Sequence, residues 1–248
     1  SSGSNVEAMA TDSYDALGRP LVQRQLFKLN GTWNQTYQTT RSYNLAGNVT
    51  SQTYPSGHTV SYGHDTAGRT SSFGGTLGDG TMRTYSTAID YDASGRVRQE
   101  QFGTQAPLYH KMHYNKRGQL FDIRLSTVSW TTDQWNWNRG ALVNYYSSNY
   151  AWEGDPSTPA GADNNGNVLL QQHWVPADDA ISSYNYTQDF YTYDSLNRIQ
   201  SAVEFHGTPA GQSAQDYAQL FAYDRWGNRT INPASSGVGI NTKQFTVR

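Results

Sequence analysis

Carboxylates, imidazoles and indoles are the side chains whose types could do chemistry in this chain, and their spacing sorts them. Asp15, Asp65, Asp92, Asp163, Asp194 and Asp224 are candidates for acid–base work, yet each stands second in a recurring six-residue phrase. An Asp that caps a turn accepts backbone hydrogen bonds that hold it ionised, so recurrence in every copy points to structure and not to catalysis. Glutamate is confined to Glu7, Glu100, Glu153 and Glu204, no two in one local motif. A glycosidase-type carboxylate pair would therefore have to come from long-range geometry. His110 and His113 form a His-x-x-His phrase, but residues three apart on a strand face opposite ways, which argues against a shared metal. His58, His64, His173 and His206 are scattered. No catalytic, cofactor or metal set is expected.

The aromatic residues are less evenly spread. Trp130, Trp135, Trp137 and Trp152, with Tyr145, Tyr146 and Tyr150, fall within about residues 126–161. Ring faces beside Asn, Asp and Gln suit a ligand-binding platform, because sugar C–H faces pack on rings while hydroxyls bond to amides. The same residues suit a loop folded back as packing, and Leu142 to Tyr146 could add strands. The stretch from Glu153 to Ala162, rich in Pro, Gly and Ser, reads as an exposed loop.

The elements that position these residues are set by the phrase Tyr-Asp-x-x-Gly-Arg, which occurs in eight variants beginning at Tyr14, Tyr43, His64, Tyr91, Tyr114, Ala162, Tyr193 and Tyr223. The intervals run from 21 to 31 residues, with one of 48, so most of the chain is a repeat array with an insertion after the fifth copy. Column two holds Asp15, Asn44, Asp65, Asp92, Asn115, Asp163, Asp194 and Asp224; column five holds Gly18, Gly47, Gly68, Gly95, Gly118, Gly166, Asn197 and Gly227. Asp or Asn caps a type I turn, and Gly or Asn tolerates the positive φ of the bulge that closes a hairpin. Alternating apolar residues flank each turn, as in Ile89/Tyr91 before it and Val97 after it. Asn30-Gly31 and Tyr54-Pro55-Ser56-Gly57 supply the return turns.

The fold class that follows is all-β: antiparallel hairpin repeats, about sixteen strands, too many for a flat open sheet and so expected to curl into a spiral ribbon or partial shell. The motif tyrosines are expected to stack on one another along its concave face. Residues 1–10 read as a tail or tag scar and 11–248 as one repeat domain. A net charge of −2 excludes a basic nucleic-acid footprint, no apolar run is long enough for membrane insertion, and cysteine is absent.

The repeats, above all Asn164-Asn165-Gly166-Asn167 and Tyr223-Asp224-Arg225-Trp226-Gly227-Asn228-Arg229, resemble the YD repeats of the RHS family, which includes bacterial polymorphic toxin shells, the shell-forming component of insecticidal toxin complexes, and teneurins. The resemblance implies a β-spiral that in long members closes around a toxic domain. This piece would form part of a wall, its partners being the remainder of a longer chain or its cargo. It implies a non-enzymatic scaffold, secreted or on a bacterial cell surface. The alternative is a module that binds a glycan or surface protein through the aromatic insertion. A polysaccharide-directed enzyme comes last.

Overall fold

A computed structural model describes residues 6–29, 31–148, 163–178, 180, 183–208 and 211–232. All regular structure there is strand, and the chain divides into two compact units, residues 1–107 and 108–248. The first unit holds β1 (Val6–Tyr14), β2 (Pro20–Leu29), β3 (Thr32–Tyr43), β4 (Val49–Thr53), β5 (Thr59–His64), β6 (Thr70–Thr76), β7 (Met82–Tyr91) and β8 (Val97–Phe102). The second holds β9 (Leu108–Tyr114), β10 (Leu120–Ser126), β11 (Gly140–Tyr145), β12 (Leu170–Pro176), β13 (Tyr184–Tyr193), β14 (Ile199–Thr208), β15 (Gly211–Tyr223) and β16 (Arg229–Ile231).

Within each unit every strand pairs antiparallel with its neighbours in sequence. β1 opens at Val6, inside the stretch read as a tail, because residues 6–11 pair in unbroken register with β2. Short turns make this order possible, since two-strand hairpins need only a few residues to reverse. Six motif hairpins also carry a one-residue bulge just after the turn, at Leu21, Thr50, Ser71, Arg98, Phe121 and Gln200.

The buried apolar set is small. Val60 represents it in the first unit, and Phe121, Tyr146, Leu170, Tyr186, Ala202 and Ala218 in the second. A single sheet leaves both faces partly wet, so side-chain pairs across strands must hold the ladder where a deep core is absent. The second unit adds a folded-back loop, residues 127–139, over β9 and β10.

Candidate functional site

Each motif turn is built by one carboxylate or amide. Oδ1 of Asp15 accepts from the N–H groups of Leu17 and Arg19, both at 2.9 Å, and Oδ2 takes the Arg19 Nε at 2.5 Å. Asp65, Asp92 and Asp194 repeat the pattern with Arg69, Arg96 and Arg198. Asn115 keeps the backbone bonds but replaces the ion pair with an amide contact to Gln119 at 2.7 Å, and Asn44 caps Asn48 at 2.9 Å. Asp224 pairs with Asn228. In the fifth column Gly18, Gly47, Gly68, Gly95, Gly118, Gly166 and Gly227 lie at φ between 78° and 96°, and Asn197 at 59°.

The carboxyl pKa values follow the bonds. Asp15 and Asp65 are held below the ordinary carboxylate range first by the backbone N–H of the arginine four residues on, then by its guanidinium. Asp79, in a loop between motifs, is lowered to about 2, chiefly by the Arg83 side chain. These groups are ionised and committed to turns, the wrong state for a general acid.

Successive repeats are joined by a contact that no single motif reveals. The Tyr43 hydroxyl donates to the Pro20 carbonyl at 3.1 Å, Tyr91 to Thr70 at 2.7 Å, Tyr193 to Val168 at 2.8 Å and Tyr223 to Ile199 at 2.7 Å. Each acceptor lies two residues beyond the fifth-column residue of the preceding turn. Over the same rings lie Arg19, Arg69 and Arg198, their guanidinium carbons 4.7, 4.3 and 4.3 Å from the centroids of Tyr43, Tyr91 and Tyr223. The expected stack of tyrosine on tyrosine is thus replaced by arginine interleaved with tyrosine. Motif tyrosines sit two strands apart, about 9.6 Å, beyond the reach of a ring pair. Tyr14, on the first strand, is largely exposed.

The sixth turn departs from its sequence alignment. Tyr146, not Ala162, fills the tyrosine column: it follows β11, is buried, and donates its hydroxyl to the Leu120 carbonyl at 2.7 Å. Asp163 does not cap the turn but accepts from the Ser148 N–H at 2.8 Å, while Asn164 Oδ1 takes the Gly166 N–H at 2.9 Å. The insertion has expanded this turn, so the spacing of the motif misleads.

Among the described residues, the aromatic side chains of the insertion point to two different places. Trp130 and Trp135 clasp His113 of β9, with centroid distances of 4.6 and 4.0 Å and interplanar angles of 25° and 8°. His113 is 6% exposed; its Nδ1 lies 3.3 Å from Oδ1 of Asp122, off the hydrogen-bonding direction. Asp122, 1% exposed, is forked by Arg124 at 2.6 and 2.8 Å. Lys111, wholly buried, donates to the carbonyls of Asp133 and Asn136 at 2.6 and 3.0 Å, and burial pushes its pKa down. The loop is thereby pinned to β9 by a cation capping its carbonyls and by a ring sandwich.

Trp137 turns the other way, toward Trp174 and Tyr184 at centroid distances of 5.9 and 4.9 Å. Tyr145 donates to Gln172 Oε1 at 3.2 Å, and burial raises its pKa. Tyr150 and Trp152 lie outside the described residues. Sequence reasoning passed over Trp174, Gln172, Tyr184 and Tyr186 because they belong to ordinary repeat strands. Among the described residues no group of three or more His, Asp or Glu could hold a metal ion, and His110 and His113 pair with Leu125 and Asp122 at opposite-facing positions.

The RHS Repeat family model matches residues 43–72. A search of curated proteins found no match. Among solved structures, the TcdB2-TccC3-Cdc42 crystal structure matches with TM-score 0.65 and 19% identity over 91% of this chain, and the Photorhabdus luminescens Tc holotoxin pore with 0.63 and 19% over 93%. A TcdB2-TccC3 crystal structure gives 0.65 and 19% over 92%. This chain spans 11 to 12% of those chains' length. At such identity the likeness concerns fold. The chain carries RHS repeat sequence, placed by its family match at residues 43–72, on an all-β hairpin array of the fold found in these Tc toxin chains.

Proposed function

We propose that this chain is a non-enzymatic wall segment of a longer RHS-type protein, secreted or displayed on a bacterial surface, that encloses or presents cargo such as a toxin domain. The observation that carries the reading is the tyrosine-to-carbonyl bond between successive motif turns. It is a device for extending a ladder by repetition, and it spends the conspicuous ionisable residues on cohesion. A repeat array stabilised by nearest-neighbour contacts suits a wall, and paired strands leave few free edges along it. The turn carboxylates, engaged by backbone N–H groups and by arginine, asparagine or serine side chains, leave no poised acid–base pair among the described motifs.

The test is a cryo-EM reconstruction of the longer chain that carries residues 6–232. The reading expects these strands within a wall, with further polypeptide of the same assembly against one of its faces. Strands bathed by solvent on both faces, with the rest of the chain folded elsewhere, would overturn it.

A further inference from the structure

The second unit contains a cavity of about 250 Å³ that the repeat itself does not require. Its floor is Ala141 and Val143 of β11. Register places Ala141 between Arg124 of β10 and Trp174 of β12, and Val143 between Asp122 and Gln172. Two small side chains flanked by large ones leave a trough, because residues paired across an antiparallel ladder share a face. Trp137 descends from the loop against Trp174, and Tyr145 and Gln172 complete the walls. Trp137, Tyr145, Gln172 and Trp174 are all half-buried, so solvent reaches them.

Three properties define what fits. Volume comes first: a cavity of roughly 150 Å³ takes benzene, so this one takes a ring with substituents. Charge comes second. Arg124 is the charged residue among the lining, and its guanidinium is forked on the buried carboxylate of Asp122, so the cavity offers no uncompensated charge. Third, the walls combine indole faces with the Gln172 amide and the Tyr145 hydroxyl, pairing C–H packing with hydrogen bonding.

From this juxtaposition we infer that the trough of Ala141 and Val143, walled by Trp137, Tyr145, Gln172 and Trp174, is a binding site for a single neutral pyranose ring. The inference is independent of the wall reading and uses two of the insertion's aromatic residues, Trp137 and Tyr145. Trp174 and Trp137, tilted against each other with centroids 5.9 Å apart, together offer their indoles to one side of the sugar, and Gln172 and Tyr145 orient its hydroxyls.

The experiment titrates the 248-residue protein with glucose, galactose, mannose and N-acetylglucosamine, followed by tryptophan fluorescence and ligand-observed NMR. At least one should saturate with a Kd on the order of 1 mM, as befits a ligand of about a dozen heavy atoms. Glucosamine and glucuronate should bind more weakly than their neutral counterpart. Trp174→Ala should weaken binding roughly tenfold. Ala141→Leu fills the floor without removing a wall and should abolish binding with the fold retained by circular dichroism. Trp226→Phe, at an exposed turn, should leave it unchanged. Absence of saturation by every neutral sugar, saturation that survives Ala141→Leu, or binding of N-acetyltryptophanamide in preference to all sugars would each overturn the inference.

Discussion

Tyr223 donates its hydroxyl to the Ile199 carbonyl at 2.7 Å while Arg198, from the preceding turn, lies over the same ring at 4.3 Å. One side chain thus gives a hydrogen bond to the repeat before it and receives that repeat's cation on its ring, and Tyr91 does the same with Thr70 and Arg69.

Removing only the hydroxyl tests the first half of that contact. Tyr91→Phe should cost about 1 kcal/mol, the net value of one intramolecular hydrogen bond. A double-mutant cycle of Arg69→Ala with Tyr91→Ala should give a coupling of about 0.5–1 kcal/mol. Urea unfolding measures both, and additive single mutants would show that the guanidinium lies over the ring without consequence.

Two glycines should fail for different reasons. Gly95 lies at φ 80° with nothing within 4 Å of a built Cβ, so Gly95→Val should cost at least ~1–2 kcal/mol through backbone conformation alone. In Gly75 a Cβ would come 2.1 Å from the Thr59 carbonyl oxygen, so even Gly75→Ala should separate β5 from β6. Asn197→Gly should be neutral to within ~0.5 kcal/mol, because glycine accepts the same φ. Thermal unfolding of the three variants should rank them in that way.

Two groups of carboxylates should pull stability in opposite directions as pH changes. Asp15, Asp65 and Asp194 are lowered, first by backbone bonds from Arg19, Arg69 and Arg198, and Asp79 is lowered to about 2 by Arg83. A lowered folded pKa gives stability that is present above ~4 and lost on acidification toward ~2. Glu204 is raised, first by burial and then by Asp189, which faces it across β13 and β14, and by Asp216. A raised folded pKa gives stability that is present below ~4 and lost as pH climbs through the raised value. Glu204→Gln should therefore raise the melting temperature at neutral pH and lose that advantage near pH ~4. An advantage independent of pH would exclude the electrostatic cause.

The ring sandwich should be structural. Trp135→Ala removes one face of the His113 clasp and the wall beneath Arg124, and should cost about 3 kcal/mol. Calorimetry measures the loss. Unchanged melting would mean that Trp135 lies on the surface without supporting it.

The turns were legible in the sequence because their chemistry is local: an Asx side chain needs an N–H two and four residues on, and a positive φ needs Gly or Asn. The strands were legible for the same reason, since Tyr91 and Val97 face each other across a single turn. What bridges successive repeats was not. Tyr146 replaces the tyrosine of a displaced motif, and only its bond to Leu120, 26 residues away, identifies it. The fate of the tryptophans was equally hidden, because Trp130 and Trp135 meet His113 by folding a loop back over β9, whereas Trp137 meets a strand beyond the expanded turn. Pairing decides such contacts, and pairing register cannot be read from composition.

The strictly sequential strand order has a kinetic consequence. Every ladder within a unit joins neighbours in sequence, and the tyrosine bonds span 21 to 26 residues. Loop-closure entropy therefore never has to be met across the whole chain, and contact order stays low for an all-β protein. Each unit can zip one hairpin at a time from whichever end is available, so folding can keep pace with a chain that emerges gradually. The same locality ties the protection of each strand to its immediate neighbours: a substitution that opens one hairpin of the second unit, such as that of β13 and β14, should speed amide hydrogen exchange there and in the adjoining strands, and leave strands several hairpins away unchanged.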